Sequence, residues 1–172
     1  KAIHQTPLYR MNVIGVKYNP NWTPPMSVVK RVILPNFSDS NRYVASHGLK
    51  AVDSKGYSYS LNDISPQDVL NGTYRIQQPP GVENALGILK FETDSKDDIY
   101  LHDTDERSIF SRANRAYSLG CIRVQEFPYL AMLLTHSQSV DKVFDNINKG
   151  KTYIQRVSRT PVFITYSLVD SV

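Results

Sequence analysis

A single cysteine, Cys121, and four histidines are all that the 172 residues offer to disulfide or metal chemistry. One cysteine forms no intrachain disulfide, which excludes a disulfide scaffold, and a lone thiol with scattered histidines gives no zinc-ligand spacing. Long apolar runs are missing too, none approaching the roughly eighteen consecutive apolar residues that a bilayer span requires. Charge of one sign is not concentrated. Twenty basic against sixteen acidic residues leave a formal net charge of +4, with no run of five like charges. That balance calls for no nucleic acid and is merely compatible with a mildly anionic partner. The chain shows no initiator Met, signal peptide or acylation motif, so it reads as a processed or trimmed piece whose termini carry no localisation. It also has no internal repeat and no low-complexity tract.

What is present, 41% hydrophobic and 21% charged residues, describes one globular domain with a sizeable core. Eleven Tyr, ten Pro and many short alternating runs favour a mixed, mainly β fold. Residues 11–18 read as a strand stopped by Asn19-Pro20-Asn21-Trp22-Thr23-Pro24-Pro25. Residues 27–34 read as a short helix capped by Ser27 and ended by Pro35. Asp53-Ser54-Lys55-Gly56 reads as a hairpin tip between Leu49-Lys50-Ala51-Val52 and Tyr57-Ser58-Tyr59-Ser60, and Ser65-Pro66-Gln67-Asp68 as a capped helical turn closed by Asn71-Gly72. Two strands follow, 87–92 and 98–102, with His102 at a strand end. Phe127, Leu130, Leu133 and Leu134 form one helical stripe, and Val140, Val143, Phe144 and Ile147 another, stopped by Gly150. The chain is expected to finish as two strands, 152–157 and 162–168, broken by Pro161.

Chemistry concentrates in His102-Asp103-Thr104 and Tyr117-Ser118-Leu119-Gly120-Cys121-Ile122-Arg123-Val124. Cysteine acts as a nucleophile through its thiolate, and a thiol with pKa near ~8.5 needs a base or a cationic setting to supply one at neutral pH. His102 is the candidate base. Gly120 allows a tight turn and leaves amide N–H groups open for an oxyanion. Arg123 stands where it can favour the thiolate, bind a substrate carboxylate, or brace the loop. Tyr100 shares the face of His102 by the two-residue period and is a candidate cleft wall. Asp103 reads as a structural carboxylate at least as well as a triad acid. His47 in Ser46-His47-Gly48 lacks a following Cys and reads as a polar cap. His4 and His136 read as an end and a helix-end residue. Trp22 reads as a packing residue.

This stretch resembles the L,D-transpeptidase (YkuD-like) family, whose signature is a His, about fifteen residues, then Ser/Thr-His-Gly-Cys, an aliphatic residue, and Asn or Arg. Fifteen residues separate His102 from Ser118. Gln5-Thr6-Pro7, the proline loop around Trp22, Asn84-Ala85-Leu86-Gly87, Lys90-Phe91, Ile99 to Thr104 and Phe110-Ser111-Arg112 are similar to the long, capped, Gram-negative periplasmic branch. Leu119 stands where most members place a second His, a departure that this branch tolerates.

The resemblance implies a single L,D-transpeptidase catalytic domain over 1–172, a β-sandwich with packed helices and an inserted cap at about 36–83. It also implies opening strands before Thr6, where only five residues stand, so those strands are expected to be missing from this sheet. Its activity would be peptidoglycan L,D-transpeptidation in cell wall biogenesis and cell shape, located in the periplasm. Cys121 would attack the third residue of a tetrapeptide stem, expel D-Ala and pass the acyl group to a second stem as a 3-3 cross-link. His102 would be the base, oriented by the Asp103 backbone; Gly120 and Cys121 amides would form the oxyanion hole, with Ser118 in the same loop and Tyr100, Asp103 and Arg123 orienting or lining the cleft. No metal or organic cofactor is implied, and carbapenem-type β-lactams would acylate the same thiol. Water as acceptor would make the protein an L,D-carboxypeptidase or endopeptidase, and loss of the site would leave an inactive cell-wall-binding module.

Overall fold

The computed structural model describes residues 7–37, 47–113 and 120–166. The mixed, mainly β fold expected from composition is what they form. Eight strands, β1 (Tyr9–Tyr18), β2 (Lys50–Val52), β3 (Ser58–Tyr59), β4 (Arg75–Gln77), β5 (Leu89–Thr93), β6 (Leu101–His102), β7 (Ile122–Arg123) and β8 (Tyr153–Ile164), make two sheets. The larger is ordered β7-β6-β5-β1-β8 and the smaller β3-β2-β4.

In the larger sheet, alternation sends Met11 and Val13 of β1 to one buried face, a bulge between Val13 and Gly15 shifts the period by one residue so that Val16 and Tyr18 are buried with them, and Leu89 and Phe91 of β5 join the same core. Helices α3 (Phe127–Thr135) and α4 (Val140–Asn148) cover that face with Phe127, Ala131, Leu134, Val143 and Ile147. The stripe on α3 is rotated from the expected one: Ala131 replaces Leu133, which is 66% exposed, because Phe127, Ala131 and Leu134 follow the i, i+4, i+7 line. Phe144 of α4 likewise stands 37% exposed and meets Phe127 edge-on. Pro161 does not divide the last segment. β8 runs unbroken through it, with Pro161 opposite Asn12, since β8 is the sheet edge, where alternate N–H groups face solvent and a missing donor is tolerated. Residues 167–168 of that expected strand lie outside the described residues, as does His4.

The smaller sheet has its own core of Val29, Ile33, Phe37, Leu49, Ala51, Leu61, Val69 and Ile76. The helical stretch feeding it starts as α1 (Met26–Val28), widens to a π turn over Val29–Ile33 and tightens to a 3-10 turn over Leu34–Asn36. Pro25, not Ser27, occupies the N-cap, and Pro35 sits inside the last turn. The Asp53 hairpin and the Ser65 cap form as the sequence indicates. Asp53 accepts from the amides of Lys55 and Tyr57, and Ser65 and Asp68 make a reciprocal capping box on α2 (Pro66–Leu70).

Two buried amides tie the connections together. Gln78 donates to the carbonyls of His47 and Glu83 and accepts from the Ala85 amide. Asn84 donates to Pro20 and Pro79 and accepts from Leu86. Trp22 and Gln78 exchange both backbone hydrogen bonds, at 3.0 and 2.8 Å, which seats the proline loop beside the end of β4.

Candidate active site

β6 is only two residues long, yet it is held on both sides. Antiparallel pairing with β5 sets Lys90 opposite His102, and parallel pairing with β7 sets Arg123 opposite His102. The Ile122 amide donates to the Tyr100 carbonyl at 3.0 Å and the Val124 amide to that of His102 at 2.8 Å. Cys121, the residue just before β7, is thereby held next to the Tyr100–His102 stretch. β1 extends the row, with Lys17 opposite Lys90, so one sheet face carries Arg123, His102, Lys90 and Lys17 across four strands. Glu92, two residues along β5, pairs with Lys90 at 2.9 Å and with Lys17 at 3.9 Å.

The Cys121 side chain is half-buried. Its thiol donates to the Asp98 carbonyl at 3.7 Å. Tyr100 and His102, two residues apart on one face, bring their rings to 5.7 Å at 61°, and the Lys90 ammonium lies 4.2 Å from the Tyr100 ring centroid. Burial, reinforced by Cys121, pushes the phenol well above its ordinary range.

His102 is 5% exposed. Among the described residues its Nδ1 has no hydrogen-bond partner. Burial first, then the Arg123 and Lys90 charges, hold the imidazole pKa down at about 4 against the opposing pull of Asp103. At neutral pH the ring is uncharged and able to take a proton.

The Asp103 carboxylate does other work. It accepts from the Ile88 amide at 3.1 Å and pairs with Arg107 at 2.6 Å, and it packs onto Gly87, whose φ of 63° places a Cβ, if present, inside that carboxylate. The side chain thus fixes the strand end. Gly120 has φ 130°, a conformation that an L side chain rarely adopts, so the turn into Cys121 is glycine-specific by backbone rather than by crowding. Arg123 Nε is buried without a partner among the described residues. Ser118 and Leu119 lie outside the described residues. His47 sits where the chain enters β2, and His136 is the left-handed C-cap of α3 at φ 53°.

Trp22 is the packing residue that the sequence suggests, set against the smaller sheet's core. Two neighbours of the site escape sequence reading. Lys90 emerges only from the β5–β6 register, and Asp98 contributes a backbone carbonyl that no side-chain pattern marks. Among the described residues no group of three or more His, Cys, Asp or Glu could hold a metal ion, and no helix is long and apolar enough to cross a membrane.

A half-buried thiol at the start of β7, on the segment that pairs with the strand carrying a buried, uncharged imidazole, suits acyl transfer through sulfur. A family profile for the YkuD L,D-transpeptidase catalytic domain matches residues 1–164. A Haemophilus influenzae protein named "Putative L,D-transpeptidase" is 32% identical over 166 residues, covering 94% of this chain and 34% of that protein. The chain spans about a third of the length of this curated relative.

Proposed function

The chain belongs to the YkuD family of L,D-transpeptidase catalytic domains, and from that premise we propose that it joins peptidoglycan stem peptides by 3-3 cross-links through a thioester on Cys121. The observation that carries this reading is the bare Nδ1 of the buried, neutral His102 on the strand that pairs with the Cys121 segment. Nδ1 takes the thiol proton, and Sγ attacks the carbonyl carbon of the third residue of a donor tetrapeptide. The resulting oxyanion is held by the Gly120 and Cys121 amides. Collapse breaks the bond to the terminal D-Ala, whose amine leaves with the proton from His102. The amine of a second stem then attacks the thioester, gives its proton to His102 and expels the thiolate, which regains that proton as the thiol.

Arg123, with a buried Nε and a position beside His102, is suited to a stem carboxylate at the cleft, and Ser118 belongs to the same loop. A strained lactam carbonyl of a carbapenem would acylate Cys121 by the first half of this sequence. The activity belongs to the periplasm, where the polymer and its cell-shape role reside. The segment at about 36–83, with its own sheet and core, serves as the cap. The test is mass spectrometry of muropeptides after incubation with purified disaccharide-tetrapeptides. Dimers linked between two third residues are expected. Tripeptides alone would show that water, not an amine, is the acceptor, and unchanged tetrapeptides would show a wall-binding module without this chemistry.

A further inference from the structure

Four cations and one carboxylate gather around His102 on one face of the larger sheet. Strand pairing sets Arg123 of β7, His102 of β6, Lys90 of β5 and Lys17 of β1 in a row, which Ile154 of β8 completes. In the next row along, Glu92 stands opposite Gly15 and Gly15 opposite Arg156. A Cβ on Gly15 would meet the Ile154 and Glu92 side chains at 3.0 and 3.7 Å, so β5, β1 and β8 present these residues to the same side. Glu92 is already paired with Lys90 and Lys17, and Asp94, two residues further along, is engaged by Arg159 and Asn12. Arg156 is exposed and has no ion pair among the described residues. The face is left cationic.

Exposure climbs along the row. His102 is 5% exposed, the Lys90 and Lys17 side chains 17% and 24%, and Ile154 at the sheet edge 51%. Lysines are almost never sheltered to this degree on an ordinary solvated face. They floor a ramp that descends from the open edge at β8 to the base. The sheet order puts the Cys121 segment on one side of His102 and this ramp on the other.

We propose that the ramp is the acceptor subsite: the second stem lies across β8, β1 and β5 with its C-terminal carboxylate on Lys17 and its attacking amine over His102, Arg156 drawing it in at the mouth. The proposal rests on the reading of the domain as a transpeptidase. Reach decides which stem fits. β1 lies two strand spacings from β6, roughly 10 Å, and in an extended stem about the same length separates the third-residue side-chain amine from the carboxylate that closes the fourth residue. The leaving D-Ala holds its carboxylate within roughly 4 Å of its amine and stops short of Lys17. Charge acts at the other end as well. The amine attacks as the free base, and cations around it disfavour its ammonium form. Its nitrogen bonds to the thioester carbon as the C–S bond breaks, and its proton passes to His102 and on to the sulfur.

The test reads partition within one acyl-enzyme, so that any change in the first half cancels. With a disaccharide-tetrapeptide as donor, the quantity measured is the concentration of an isotopically labelled tetrapeptide acceptor at which transfer equals hydrolysis. The acceptor is used in its acid form and amidated at its C-terminus. For the unaltered protein, amidation is expected to raise that concentration about fivefold, the size of one partly sheltered carboxylate–ammonium pair. Lys17→Gln should raise it as much for the acid, so that the two acceptors become equal, and Lys17→Arg should restore the advantage of the acid. Arg156→Gln should raise it about twofold for the acid, with a smaller effect at high salt. The proposal is overturned if the unaltered protein uses acid and amide alike, or if Lys17→Gln keeps the full difference between them. Hydrolysis with no transfer at any acceptor concentration overturns the transpeptidase reading and the subsite with it.

Discussion

His102 and Arg123 are direct partners across the parallel pairing of β6 and β7, and the guanidinium is, after burial, the largest influence keeping the imidazole uncharged. A cation beside a base is unfavourable for a resting thiolate–imidazolium pair and favourable for a neutral thiol–imidazole pair. The row continues through Lys90 and Lys17, whose charges Glu92 partly offsets.

The first expectation concerns pH. With a folded pKa near 4 against about 6.5 in an unfolded chain, His102 binds its proton more readily when unfolded. Stability from this residue is therefore complete above about pH 6.5 and is lost as pH falls toward 4, amounting to roughly 3 kcal/mol by linkage. An NMR titration should show His102 neutral down to about pH 4. Arg123→Gln should raise that midpoint, and an unshifted one would remove the electrostatic role assigned to Arg123.

The second concerns the strand end behind His102. Gly87→Ala forces a Cβ into the Asp103 carboxylate at a backbone angle that alanine resists, so a loss of about 2–4 kcal/mol is expected from overlap and strain together. Asp103→Asn keeps the shape but removes the charge facing Arg107, and should cost about 1–2 kcal/mol. Because the Asp103 carboxylate is engaged by Ile88 and Arg107, thermal melts should separate the variants while Asp103→Asn retains most of its acylation rate. An acylation loss in Asp103→Asn as deep as that in His102→Ala would show that the carboxylate acts in the chemistry.

How far the sequence reaches is clear from particular residues. Local signals with a fixed geometry were legible: the Asp53–Gly56 turn, the Ser65 cap and Gly150 after α4. Signals that depend on neighbours were not. Whether Leu133 or Ala131 faces the core is decided by how α3 lies on the sheet, and Pro161 breaks a strand only when its missing N–H would face a partner. Lys90 becomes a neighbour of His102 only through β5–β6 register, and Trp22 lies beside β4 because Gln78, 56 residues on, seats its loop. Of the smaller sheet, the hairpin arms on either side of Asp53–Gly56 were legible and β4 was not, since its three residues are too few for a period and only its pairing with β2 makes it a strand.

The third expectation concerns that sheet as a cap. The Asp53 hairpin connects β2 to β3, and the core beneath it supports Trp22. Replacing Asp53 to Gly56 by a shorter connection should raise the ratio of thioester hydrolysis to peptide transfer, because water competes with the acceptor amine wherever the cleft opens. Acylation of Cys121 should fall less. An unchanged product ratio, with amide exchange as slow there as in β1, would make the segment a rigid support rather than a cap.

The central claim, an acyl group carried on one sulfur, is tested most directly by intact-protein mass spectrometry within the first turnovers on a disaccharide-tetrapeptide. The account predicts a single adduct that adds the mass of the donor less one D-Ala, the thiol proton having left on that amine, absent in Cys121→Ala and formed far more slowly in His102→Ala. Cross-linked or trimmed product appearing with no adduct, or an adduct that survives in Cys121→Ala, would contradict it.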